Sequence, residues 1–143
     1  MDLKEITKRT PYVKGVFGLP ERGDFSIEST SFEKIFVSFE DKMSLLLTAN
    51  CDTDEFIING EHFTPDGMID LLSLYPALSD IKESVLLWTW EMNNHQGYFD
   101  AIQFEFWNKT LKKELILQLK ITASSIYMYN VVELKQNRNI YAK

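Results

Sequence analysis

From Val85 onward, apolar residues return at every second position instead of every third and fourth, the pattern of half-buried strands. In Val85 to Met92, Leu86, Trp88, Trp90 and Met92 share one face, and Thr89 and Glu91 share the other. Because Leu86 and Met92 continue the row, the two indoles are expected to belong to a core stripe. In Tyr98 to Trp107, Ile102, Phe104 and Phe106 oppose Ala101, Gln103 and Glu105, and Phe99 and Trp107 fall on that second, mixed face. Leu115, Leu117, Leu119 and Ile121 form a third stripe. Ile126, Met128, Val132 and Leu134 form a fourth, interrupted by Asn130 and backed by Tyr127, Tyr129 and Glu133. The connections 93–97, 108–113 and 123–125 are shorter than the dozen or so residues of a parallel crossover, so the four strands are expected to form an antiparallel meander.

Upstream, Glu33 to Phe39 and Met43 to Asn50 read as a hairpin joined through Glu40, Asp41 and Lys42. Phe56, Ile57 and Ile58 precede Asn59-Gly60, a pair that tolerates positive φ at both turn positions, and Glu61 to Phe63 return from it. Thr64-Pro65-Asp66 has the form of a helix start, with a hydroxyl cap, proline at the first helical position and an early acid. Met68, Leu71, Leu72 and Tyr75 fit one face of a short helix near residues 65–75, which Pro76 ends. The expected fold is α+β and strand-rich, an antiparallel sheet with that helix on its apolar face. No repeat or linker divides residues 1–143, so one domain is expected.

The 143 residues are 45% hydrophobic, enough for a core without disulfides or metal. A single cysteine and two histidines provide no metal framework, and no cofactor is implied. There is no long apolar run, and Met1 to Arg9 lacks the apolar core of a secretion signal, so a cytoplasmic protein with no membrane contact is expected. The net charge of −6 is concentrated: Glu21 to Glu83 holds 14 acidic residues against 4 basic ones. Such a field repels phosphate backbones and speaks against nucleic acid, while it would steer a basic protein partner.

Catalytic patterns are thin. Cys51 precedes Asp52, Asp54 and Glu55, acids that disfavour a thiolate, so an inert cysteine is expected. The same acids start like a calcium loop, but Phe56 and Ile57 stand where an oxygen ligand and glycine are needed. Gly15, Gly18 and Gly23 match no phosphate loop, and zincin, nucleophile-elbow and deaminase patterns are missing. The loop Asn93-Asn94-His95-Gln96-Gly97 offers amide donors and acceptors, with a glycine suited to positive φ.

The run Leu87-Trp88-Thr89-Trp90-Glu91-Met92-Asn93-Asn94-His95-Gln96-Gly97-Tyr98-Phe99-Asp100, then an alternating strand and Ala123-Ser124-Ser125-Ile126, resembles small bacterial proteins of the kind found as immunity proteins beside polymorphic toxins. The resemblance covers residues 84–134 and implies a binding protein that masks a toxin's active surface.

The leading expectation is a non-enzymatic protein-binding module, in concrete form an immunity-type inhibitor of a basic toxin domain. Asp52, Asp54, Glu55 and Glu61 would attract the partner; Asn94, His95 and Gln96 would supply directional hydrogen bonds; Phe99 and Trp107 would add apolar contact. A second reading is a small hydrolase or ligand-binding enzyme using His62 or His95 with Asp66, Glu91 or Asp100. A third is a homo-oligomer associating through the Phe99 and Trp107 face or a sheet edge.

Overall fold

Asp2 accepts a hydrogen bond from Glu5 N at 2.8 Å and so caps a short first helix, α1 (Leu3–Lys8), whose Leu3 and Ile6 turn into the core. The computed structural model describes residues 2–21, 31–60 and 64–130. After α1 come β1 (Val13–Pro20), β2 (Phe32–Phe39), β3 (Ser44–Asn50), β4 (Glu55–Asn59) and β5 (Ile69–Asp70). Then follow α2 (Leu71–Leu74), a 3-10 helix (Pro76–Ile81), β6 (Val85–Asn93), β7 (Phe99–Asn108), β8 (Lys113–Thr122) and β9 (Ser125–Asn130).

All strand pairings are antiparallel, and the order runs β4-β3-β2-β9-β8-β7-β6, with β1 paired to β2 and β5. The fold is therefore the expected strand-rich α+β class, and β6 to β9 form the expected meander. Val132 and Leu134, assigned above to its last stripe, lie outside the described residues, as does the return strand 61–63. The β2–β3 hairpin is also present, with Asp41 and Lys42 at φ 58° and 60° in the turn. The sheet curls: Val13 N donates to Ser84 O and Leu86 N to Pro11 O, stitching the entry of β1 to the start of β6.

Inside the curl, Ile102, Phe104 and Phe106 lie opposite Leu119, Leu117 and Leu115, all buried as their period-two spacing requires. Val16, Ile35, Val37, Leu45 and Leu47 line the other wall. A bulge at Glu33, between the pairs Leu19↔Lys34 and Pro20↔Phe32, turns Phe32 into this core. Its ring lies over Gly18, where a Cβ would come within 2.7 Å of two ring carbons.

The region expected as one helix is divided. Thr64 Oγ1 donates to Asp66 Oδ2 instead of capping a helix, and Gly67 at φ 76° completes a turn. Ile69 and Asp70 pair with β1, and the α-helix begins only at Leu71, capped by Asp70 Oδ1, which accepts from Leu72 N and Ser73 N. The α-helix ends at Leu74, just before Pro76 as expected, and Pro76 also opens a 3-10 helix, because its missing N–H costs nothing at a first helical position. Leu71, Leu72, Tyr75, Leu78 and Ile81 from this segment are all buried.

Candidate functional site

The core stripe expected along β6 breaks after one residue. Leu86 pairs with Phe106, but Trp88, not Leu87, pairs with Glu105, so β6 carries one extra residue at Leu87. This bulge exchanges the faces of everything that follows. Leu86 is fully buried, whereas Trp88 and Trp90 are 54% and 50% exposed on the outer surface. Thr89 takes the inner position and meets Thr7 of α1, with the two hydroxyls 3.2 Å apart.

The indoles form an ordered ledge. Their centroids are 6.1 Å apart with the planes inclined at 53°, and Trp90 Nε1 donates to Glu105 Oε2 at 3.1 Å on the neighbouring strand. Leu87 is exposed beside them. Among the described residues, β6 beyond Leu86 pairs only with β7, so its other edge is open. α1 runs along that edge, and between them lies a cleft of about 710 Å³ lined by Leu3, Lys4, Thr7, Lys8, Thr10 and the β6 segment Leu87 to Glu91. This volume lies within the usual range of ligand pockets.

The residues selected from sequence gather elsewhere, at one end of the curled sheet. Glu55 Oε2 accepts from Phe99 N at 3.2 Å, and Asp54 Oδ1 accepts from Ser124 N at 2.8 Å and Ser124 Oγ at 3.1 Å. The acidic turn 51–54 is thus held between the β6–β7 loop and the β8–β9 turn. Asp52 is exposed there, and Ser124 Oγ also reaches Cys51 O at 3.4 Å. Asn94 is occupied internally: its Oδ1 accepts from Gln96 N and Tyr98 N, and its Nδ2 donates to Asp100 Oδ2. Gly97 supplies the expected positive φ, at 87°. His95 and Gln96 remain exposed at the loop tip.

One expectation needs correction. Phe99 is not on the outer face: a second register shift, between Met92↔Ala101 and Asn93↔Phe99, turns its ring inward to within 5.6 Å of Phe56. Asp54 and Glu55 bond across to Ser124 and Phe99, and Asn94 bonds within its own loop, whereas Asp52, His95 and Gln96 are exposed. Trp107 does stay on the outer face, half-buried and opposite Glu114. Glu61 and His62 lie outside the described residues. Asp66 is exposed in its own turn, Glu91 borders the α1 cleft, and Asp100 serves Asn94. Among the described residues no three His, Cys, Asp or Glu side chains form a group that could hold a metal ion, and no helix is long and apolar enough to cross a membrane.

Residues 1–135 match the model of a family of unknown function, DUF6334. The chain belongs to this family. No curated protein and no solved structure matches it. The family supplies no activity, so the functional reading of this DUF6334 member rests on its own surface.

The ledge escaped the sequence reading because alternation from Leu86 assumes an unbroken strand. The helix beside it did carry a signal, since Asp2 and Glu5 stand at capping-box spacing ahead of Ile6.

Proposed function

We propose that this protein is a protein-binding module whose principal contact surface is the Trp88–Trp90 ledge on β6. The observation that carries the reading is the exposure of two adjacent indoles, held in fixed geometry, at an open strand edge. Leaving about half of each indole in water forgoes on the order of 1 kcal/mol per side chain. Tryptophan is also the residue type most enriched among interface hot spots.

The immunity-type role is the narrower form of this proposal, with a basic toxin domain as partner. It draws support from the acidic turn: Glu55 bonds Phe99 N, next to Asp100, Asp54 bonds Ser124, and the segments 51–55, 94–100 and 123–125 contain no lysine or arginine. Complementary charge there would raise the encounter rate, while the ledge would supply affinity.

The test is capture of a partner on immobilised protein, followed by titration of the purified partner against wild type and a Trp88→Ser/Trp90→Ser variant. The expected result is a loss of at least tenfold in affinity from a variant that is still folded at the assay temperature. Equal affinity for both forms would refute the ledge as the contact surface. The immunity form further requires that the partner be basic, that the complex weaken with salt, and that binding suppress a toxic activity.

A further inference from the structure

We propose that the cleft between α1 and β6 binds an extended peptide segment as an added β-strand, and that this segment carries acidic residues on one face and apolar residues on the other. The proposal rests on the ledge being a contact surface and specifies the local segment that engages it, whatever the net charge of the rest of the partner.

The backbone supplies the first part of the argument. At the start of β6, Ser84 O and Leu86 N bond outward, to Val13 N and Pro11 O. The extra residue Leu87 moves that alternation by one, so further along the strand the N–H and C=O groups of Thr89 and Glu91 face the open edge. Among the described residues no backbone group pairs with them. A helix lying beside an open strand edge makes a groove in which an extended peptide can complete the ladder. The five residues Leu87 to Glu91 give about 16 Å of edge at roughly 3.3 Å per residue.

The side chains specify the occupant. Successive residues of an added strand point to opposite faces. On the outer face they would meet Trp88 and Trp90, which favour apolar groups. On the inner face they would lie under α1, where Lys4 and Lys8 stand one helical turn apart. Both lysines are exposed, and among the described residues neither has a carboxylate within 4.0 Å. Glu91 is the one acid lining the cleft, so the α1 side selects an acidic face.

The probe is a fluorescein-labelled decapeptide of alternating valine and glutamate, compared with the same peptide carrying lysine in place of glutamate. Anisotropy with full-length protein is expected to show binding of the acidic peptide at least tenfold tighter than the basic one, weakening with salt. Lys4→Glu/Lys8→Glu, on the exposed face of α1, is expected to remove that preference. Hydrogen exchange by NMR provides the backbone readout: the Thr89 and Glu91 amides should exchange rapidly in the free protein and become protected in the complex. Indole stacking alone would leave those two amides unchanged. The proposal is overturned if both peptides bind equally or not at all, or if bound peptide leaves Thr89 and Glu91 unprotected. It is also overturned if these amides are protected without peptide, which would mean that the chain itself or a second copy already fills the edge. If the tryptophan variant loses its captured partner while the lysine variant and the two amides are unaffected, the binding reading stands and strand addition fails.

Discussion

Asp54 and Ser124, seventy residues apart in sequence, are joined by two hydrogen bonds: Asp54 Oδ1 accepts from Ser124 N at 2.8 Å and from Ser124 Oγ at 3.1 Å. The contact fixes a strained turn. Ala123 and Ser124 have φ of 50° and 67°, a conformation that non-glycine residues adopt only at a cost. Asp54 itself sits at φ 56°. Asp54→Ala should therefore destabilise the fold by about 1–3 kcal/mol, since a partly buried N–H loses its acceptor. Asp54→Asn keeps an acceptor and tolerates the same backbone, so it should cost less. Urea midpoints of the two variants check this order, and equal losses would contradict it.

Gly18 makes room for Phe32. A methyl group there would press on the ring from 2.7 Å and on Leu71 Cδ1 from 3.1 Å. Gly18→Ala is expected to cost about 1–3 kcal/mol through overpacking, read as a fall in the denaturation midpoint.

Deletion of Leu87 tests the bulge. Without it, Trp88 directly follows Leu86 and still points outward, so the register Trp88↔Glu105 survives in an unbroken strand. The variant should fold, with stability within about 1 kcal/mol of wild type and the indoles still exposed to acrylamide. Burial of the indoles on deletion would show that Leu87 is not the extra residue in β6.

Legibility followed the regularity of the strands. Leu115, Leu117, Leu119 and Ile121 could be placed from alternation alone because β8 has no bulge against β7. Trp88 and Trp90 could not, because nothing in Leu86-Leu87-Trp88 marks an extra residue; a second shift at the far end of the same hairpin turns Phe99. The helix expected from Thr64 failed against a local competitor, since Asp70 caps from within the segment and the residues before it join β1. The acidic turn and the Asn94 loop were selected separately, on charge and amide content. Their meeting through Glu55 and Phe99 depends on the curl of the sheet, which pairwise alternation does not encode.

Replacing Trp88 and Trp90 with serine should lower stability by about 1–3 kcal/mol in total, because half of each side chain is already in water and only the remaining contacts and the Trp90–Glu105 hydrogen bond are lost. A loss of about 6 kcal/mol or more in thermal melts, the sum of two core truncations, would instead assign the indoles to the core.

The most direct test of a protein-binding role is the solvent access of Trp88 and Trp90 before and after a purified partner is added, measured by acrylamide quenching in a Trp107→Phe background. The account predicts strong quenching in the free protein and a blue shift with marked protection in the complex. Indoles that are shielded in the free protein, or equally quenched with partner bound, would contradict it.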